Sequence, residues 1–505
     1  MTTTAPTGPA AGPTGTRRWV TLSILLAPMA MILIGATISN VAVPSITEGL
    51  GASPAAISWV VSGYMIGYAL GLVPAGRLGD RYGHKWVFIL GLIAYMVTAL
   101  VASFSFSELQ LVVSRVVQGF AGGFVIAPLY AYIQILFTGA ARLRAFAIFT
   151  VVTGAAALVG PLIGGQIIDM VGMAQGWRFA LTAGLPLGAL ALVAAFPLVP
   201  QTRNLTRGRF DFVGMFLLAV VVVGFIAPFI QVTDAGLPEW ATASFSTAAV
   251  LAVVFAFWIR HRERRDAFPL VPFSFFTRPT FSIGMVVMFL AFAAFTSAIY
   301  IALSVLWQAG RGESALMAAM VTLPFSLGSI LGGFMAEHTT KLFGRWALTC
   351  SLILLVVGLY TTYLTLQTDA QSHLVALVLP LLIAGMGSGI FVAPCMDTVL
   401  NGIHEKDAGA AGGFSVTVQR TGAAFGMALV FIAVSQPGPD GSFTPEVMTH
   451  DGIVAVLICA ALLSVALLLS VVTALATPRA IPAQTPAAPD AAPEEPELEP
   501  AGGRG

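Results

Sequence analysis

Charge is what this sequence has least of: Asp, Glu, Lys and Arg together make up 9% of its 505 residues, against roughly 25% in a soluble globular protein. Hydrophobic residues reach 57%, and the mean hydropathy is +0.90. That balance excludes an ordinary soluble domain and places the chain in a bilayer, where the few non-apolar positions remain to carry mechanism. Cysteine is scarce too. Cys350, Cys395 and Cys459 each fall inside an apolar run, which excludes a disulfide framework and a Cys-ligated metal site and leaves them as packing residues. A formal net charge of +1 argues neither for nucleic acid nor for an acidic partner. The sequence has no HExxH, no Ser/His/Asp set and no membrane-embedded carboxylate pair, so an intramembrane enzyme is disfavoured, and no cofactor is implied.

What is present is a succession of apolar runs. About 20 such residues are needed per crossing, and runs fall near 20–44, 57–78, 86–106, 109–136, 145–169, 178–199, 212–231, 241–260, 281–307, 315–338, 346–367, 373–400, 408–434 and 452–476. This predicts an all-α integral membrane protein of about fourteen helices. The first run is too long for a signal-peptide core and reads as the first membrane helix. The Thr/Pro/Ala/Gly-rich residues 1–17 and the Pro/Ala-rich, then acidic residues 477–505 read as disordered tails.

Loop charges test the count, because cytoplasmic loops are enriched in Lys and Arg. They accumulate on alternate loops: Arg17 and Arg18; Arg77, Arg81 and Lys85; Arg142 and Arg144; Arg203, Arg207 and Arg209; Arg260 to Arg278; Lys341 and Arg345; Lys406; Arg479. The opposite loops carry Glu48, Glu108, Asp234, Glu239, Asp369, Asp440 and Glu446, with Arg178 and Arg311. An even helix count with both termini cytoplasmic follows.

The two halves resemble one another in order. Gly122-Gly-Phe-Val-Ile-Ala-Pro128 is similar to Ser388-Gly-Ile-Phe-Val-Ala-Pro394, Thr153-Gly-Ala-Ala156 recurs as Thr421-Gly-Ala-Ala424, and Gly83-His-Lys85 has a degraded echo near Gly344-Arg345. An even number of helices separates equivalent points, so two six-helix units run parallel about an axis along the membrane normal, with a site at their interface. The expected divisions are a unit at 18–200, two extra helices and linkers at 201–278, and a second unit at 279–476. Small residues recur every four positions at Gly63, Gly67 and Gly71, Gly119 and Gly123, Gly328 and Gly332, Gly385 and Gly389, and Gly422 and Gly426. That spacing lets helix backbones approach closely.

The charged hinge Gly76-Arg-Leu-Gly-Asp80-Arg81-Tyr-Gly83-His-Lys85 resembles motif A of the major facilitator superfamily. Arg115-Val-Val-Gln118-Gly119 is similar to its motif B, and Gly160-Pro161-Leu-Ile-Gly164-Gly165 to the motif C associated with antiporters. Asn40-Val-Ala-Val-Pro44, Gly176-Trp177-Arg178-Phe179, Asp211-Phe-Val-Gly214 and Ala408-Gly-Ala-Ala-Gly412 look like the fourteen-helix drug:proton antiporter branch, over residues 18 to 476. The resemblance implies a monomeric bacterial plasma-membrane efflux transporter that exchanges small amphiphilic compounds for protons by alternating access. A symporter or uniporter on the same fold, and a membrane sensor or scaffold, are the alternatives.

On the same resemblance, Gly76, Asp80, Arg81, Gly83 and Lys85 form a cytoplasmic gate in which Asp80 meets a helix N-terminus near Asp407-Ala408 and holds the outward-facing state. Arg115, with Gln118, is implicated in proton transfer, and Gly160, Pro161, Gly164 and Gly165 form a hinge. Arg420 faces either substrate or a structural partner. The chain departs from many members of the branch in having Gly35-Ala36-Thr37 where they carry a first-helix aspartate. The remaining intramembrane or membrane-edge acids are Asp169, Glu337 and Asp397, and Asp397 is the preferred carboxylate for coupling. Two buried arginines and no central acid point to neutral or anionic cargo.

Overall fold

A computed structural model describes residues 15–202, 211–230, 238–265, 271–313, 315–368, 374–401, 403, 407–434 and 445–476. Both expected tails beyond these bounds, and the loop charges at Arg203, Arg207, Arg209, Asp234, Asp369, Lys406, Asp440 and Arg479, lie outside the described residues. A lipid-facing backbone can satisfy its own polar groups only in a helix or a closed barrel. Among the described residues every regular element is helical.

The first group comprises α1 (Thr16–Val41), α2 (Val43–Leu50), α3 (Pro54–Tyr82), α4 (His84–Ser103), α5 (Glu108–Leu136), α6 (Gly139–Val171), α7 (Met173–Thr182) and α8 (Leu185–Leu198). Then come α9 (Phe212–Ile230) and α10 (Ala241–Arg264). The second group comprises α11 (Pro279–Ser297), α12 (Leu303–Val305), α13 (Ala315–Phe343), α14 (Ala347–Thr368), α15 (Leu374–Leu400), α16 (Ala408–Val434) and α17 (Pro445–Ala476). Eleven stretches of the described residues are long and apolar enough to cross a membrane, one of them, Met320–Thr368, spanning both α13 and α14. The helices fall on the runs read from the sequence, consistent with fourteen crossings.

Three details were not visible in the runs. The first crossing continues into the short α2, the sixth is divided between α7 and α8, and the ninth becomes π-helical at Ala298–Ala302 and again at Leu306–Gly310. Such widened turns interrupt the regular hydrogen-bond ladder and recur at functional sites.

Local chemistry sets the ends. Ser53 and Ser107 cap α3 and α5 by accepting from the Ala56 and Gln110 amides at 3.3 Å each, which satisfies donors that a helix start leaves open. Gly83 breaks the chain between α3 and α4 at φ 99°, a conformation that a side chain makes costly. Asp211 starts α9, accepting from the Gly214 amide at 2.9 Å, and ties it to α10 through the Trp258 indole at 2.9 Å.

Glycines set the packing within each group. A methyl added to Gly67, Gly71 or Gly119 would overlap the backbone carbonyl of Val116, Phe120 or Tyr64, so α3 and α5 touch backbone to backbone. The second group repeats the device: Gly328, Gly332, Gly385 and Gly389 face the carbonyls of Leu382, Met386, Phe325 and Ser329, joining α13 to α15. Close approach of this kind replaces the hydrophobic driving force that is absent between helices in lipid. The two groups meet where α3 packs on α16 and α6 packs on α13 and α15, while α9 lies against both α3 and α16.

Candidate functional site: a polar seam between the helix groups

The seam has two parts, a set of ties at one end of the bundle and a cationic cluster further in. Asp80 is fully buried, and its two carboxylate oxygens accept from the Gly409 amide at 3.0 Å and the Ala410 amide at 3.2 Å. These are first-turn amides of α16, which have no partner within their own helix. A carboxylate there gains roughly 0.3 to 1 kcal/mol from the helix dipole, and up to about 2 when partly buried. Arg77, also buried, donates to Asp407 at 3.0 Å and lies 3.6 Å from Asp80. The hinge therefore grips the start of α16 with one charge of each sign.

Two glycines permit this grip. A methyl on Gly76 would overlap the Gly409 carbonyl oxygen, and one on Gly409 would stand 2.5 Å from the Gly76 oxygen and 2.6 Å from Asp80 Oδ1. His84 completes the pocket. It is buried, its ring lies 5.9 Å from that of Tyr132, its Nε2 is 3.4 Å from Asp80 Oδ1, and neither ring nitrogen has a hydrogen-bond partner.

Other parts of the hinge motif face inward to their own group. Lys85 Nζ donates to the Phe196 carbonyl at 2.6 Å, Arg81 stacks on Tyr82 at 5.0 Å, and a side chain on Gly83 would strike Gln201. They shape the α3–α4 turn without crossing the seam.

Further cross-group ties stand at the same end. Asp397 is ion-paired with Arg142, whose Nε lies 3.0 Å from Oδ1, and Glu337 is ion-paired with Arg144 and with Lys341. Asp397, which the sequence singles out for coupling, thus stands apart from the central cluster. Arg142, Arg144 and Arg77, legible in the sequence only as topology signals, are partners of acids on the opposite group.

The inner cluster is built on successive turns of α3. Tyr64 and Tyr68, four residues apart and so on one helix face, each carry a guanidinium: Arg115 Cζ is 4.2 Å from the Tyr64 ring centre and Arg420 Cζ is 4.9 Å from that of Tyr68. Arg115 comes from α5 and Arg420 from α16. Arg115 is 1% exposed and donates to Gln118 Oε1 at 2.7 Å and to the Val60 carbonyl at 3.3 Å. Its Nη2 has no partner, nor has Nε2 of the buried Gln419. Arg420 is partly exposed. Tyr64 and Tyr95 hydroxyls approach to 3.5 Å, and Tyr130 stands beside Gln419 and Arg420. Tyr64 and Tyr68 read from the sequence only as candidate cavity linings, and Tyr95, Tyr130 and Gln419 carry no site signal there, since an aromatic or amide on an apolar helix more often packs or faces lipid.

The Gly-Pro motif of α6 lies elsewhere. The helix runs unbroken through Pro161. Gly160 packs against Thr37 and Ile34 of α1, Gly164 against Ile38, and Gly165 has only Val41 Cγ1, at 4.0 Å. The part of α6 nearer the ties, at Ala147, Val151 and Gly154, meets Gly333 and Ile330 of α13. The motif thus seats α6 on α1, while the adjoining turns contact the opposite group. Arg178 has a local task at the far end, donating to the Ser103 and Ser105 carbonyls at 2.7 and 2.9 Å, which closes the end of α4.

Residues 24–427 match the sequence profile of the Major Facilitator Superfamily. The chain is 31% identical over 428 residues to the probable actinorhodin transporter of Streptomyces coelicolor, covering 84% of this chain and 74% of that protein. It is 30% identical over 470 residues to the cephamycin export protein CmcT of Amycolatopsis lactamdurans, covering 90% and 93%. Among solved structures, the human organic anion transporter MFSD10 has the same fold, with a TM-score of 0.63 at 16% identity over 90% of this chain and 100% of that one. The profile spans most of the sequence, and the chain belongs to the Major Facilitator Superfamily.

Proposed function

We propose that this protein is a secondary active efflux transporter of the plasma membrane, exporting small amphiphilic compounds in exchange for protons by alternating access. The two helix groups act as the moving bodies, with both termini cytoplasmic and the monomer as the working unit. The observation that carries this reading is the cross-seam grip of Asp80 and Arg77 on the start of α16. Ties at one end close the path there and leave exchange to the other end. The positive-inside rule puts the closed end in the cytoplasm, so this is an outward-facing arrangement. The relative named as the cephamycin export protein CmcT agrees with this direction of transport.

Each part then has a role. Gly76 and Gly409 allow contact, Asp80 and Arg77 hold it, and Gly83, Arg81 and Lys85 set the turn that presents the hinge. Asp397 and Glu337 add latches. Protonation of Asp397 removes the charge that holds Arg142, so a carboxylate proposed for coupling acts on the gate. A guanidinium keeps its charge at any physiological pH. Arg115, with Gln118, therefore takes part in proton transfer as a fixed cation beside the path of the proton.

Everted vesicles test the direction of coupling. Addition of a transported compound to vesicles energised to an acid interior is expected to release protons outward as the compound enters. Movement of proton and compound in the same direction would make the protein a symporter, and gradient-independent equilibration would make it a uniporter. Absence of any flux in proteoliposomes would favour a sensor or scaffold.

A further inference from the structure

We infer that the inner cluster is a binding subsite for a flat aromatic organic acid, with its ionised carboxylate or phenolate held between Arg420, Gln419 and the deeper Arg115, and its ring system against the guanidinium of Arg420, the partly exposed member of the cluster. This assigns a cargo class to the efflux reading above and rests on it. Two cations from opposite helix groups flank one face of α3, stacked on Tyr64 and Tyr68. Two buried donors there are unspent: Nη2 of Arg115, a residue 1% exposed, and Nε2 of Gln419, a residue 6% exposed.

Among the described residues, ion pairs commit acids of both helix groups to partners other than Arg115 and Arg420. Asp80 and Asp407 hold Arg77, Asp397 holds Arg142, Glu337 holds Arg144 and Lys341, and Asp211 faces Arg262. An interior cation without a carboxylate partner is costly, and an arriving anion offsets that cost. Guanidinium groups suit a planar carboxylate because their parallel N–H groups match its two oxygens. The Arg420 guanidinium, stacked on Tyr68 and partly exposed, offers a flat cationic face to a ring system. The same charges repel a cationic ligand, which gives discrimination by exclusion as well as attraction. Arg420, being partly exposed, makes the first contact, and engagement of Arg115 draws the ligand against both groups.

Position 35 provides a charge-reversal test. A Cβ on Gly35 would stand 3.0 Å from the Tyr95 hydroxyl, itself 3.5 Å from the Tyr64 hydroxyl. Gly35→Asp therefore introduces a carboxylate at the Arg115 end of the cluster.

The experiment is equilibrium dialysis of the full chain in lipid nanodiscs against three probes of one shape: anthraquinone-2-carboxylate, its carboxamide, and 2-(aminomethyl)anthraquinone. The acid is expected to bind about tenfold or more tightly than the other two, as charge-assisted hydrogen bonds exceed neutral ones. Arg420→Gln is expected to remove that preference while the thermal unfolding midpoint stays within a few degrees of wild type. Gly35→Asp is expected to lower affinity for the acid and raise it for the amine. Equal binding of acid and amide, no binding of the acid, or an unchanged preference in Arg420→Gln overturns the subsite. Flux of the same probes in proteoliposomes separates the two readings: uphill export of all three alike sinks the anion subsite and keeps efflux, whereas selective binding of the acid without uphill flux sinks efflux and keeps the subsite.

Discussion

Asp80 Oδ1 accepts from the Gly409 amide at 3.0 Å across 329 residues of chain, and the glycine is what makes the bond possible, since a methyl there would stand 2.6 Å from that same oxygen. The bond joins the two helix groups at the arginine-rich end. Its charge, its donor and its lack of a side chain can each be changed separately.

Asp80→Asn keeps the size and removes the charge facing the start of α16. The loss is roughly 1.5 to 3 kcal/mol, the usual worth of a hydrogen bond to a charged group. The ratio of closed to open arrangement should therefore fall about tenfold or more. Labelling of a cysteine placed in the cytoplasmic vestibule by a membrane-impermeant thiol reagent, applied from the cytoplasmic side, is expected to speed up accordingly. An unchanged labelling rate would show that the carboxylate does not hold the gate.

Gly409→Val and Gly76→Val add bulk where the groups touch. Both are expected to fold, because the atoms nearest an added methyl belong to the opposite group at each position. Both are expected to bind cargo from the cytoplasmic side and to fail in transport. Thermal unfolding in detergent, read beside transport, checks this: a collapse of folding in step with transport would assign the contact to stability alone.

The two outer latches should differ. Arg142 and Asp397 are 16% and 32% exposed, whereas Arg144 is 54% exposed and Glu337 has Lys341 as a second partner. Exposed pairs are worth roughly 0 to 1 kcal/mol. A double-mutant cycle on transport rate is expected to give strong coupling for Arg142→Ala with Asp397→Ala and weak coupling for Arg144→Ala with Glu337→Ala. Reversing the charges of the first pair together is expected to restore part of the activity.

Within motif C, Gly160→Ala and Gly165→Ala are expected to part company. The first strikes Thr37 of α1 and the second meets only Val41 at the edge of contact. Gly160→Ala should lower the unfolding midpoint by several degrees and Gly165→Ala leave it near wild type, with unfolding scans as the check. Equal effects would mean that the motif is not seated on α1 as the structure has it.

The runs and the alternating charges were legible because lipid imposes them: apolar length and loop arginines are local properties of sequence. The hinge was legible for the same reason, being a compact group of charges and glycines between two apolar runs. Its partner was legible only as a helix start near Asp407. Which residues meet across the seam depends on how 193 to 330 residues of intervening helix fold back, and no local pattern carries that register. Arg142 and Arg144 therefore read as topology signals, and Asp397 as a solitary acid. Tyr64 and Tyr68 read only as candidate cavity linings, since a tyrosine on an apolar helix acquires a definite role only when a guanidinium from another helix stands over it. The widened turns at Ala298–Ala302 and Leu306–Gly310 have no signature in an unbroken apolar run.

The most direct test of the gate is a distance measurement across it. Spin labels at Tyr82→Cys and Leu342→Cys, exposed positions at the ends of α3 and α13, would report the separation of the groups by pulsed electron resonance in nanodiscs, after replacement of the partly exposed Cys350. The account predicts one dominant short distance in the otherwise unchanged protein and a second, longer population that grows in Asp80→Asn and dominates in Gly409→Val. A single unchanged distance in all three would contradict it.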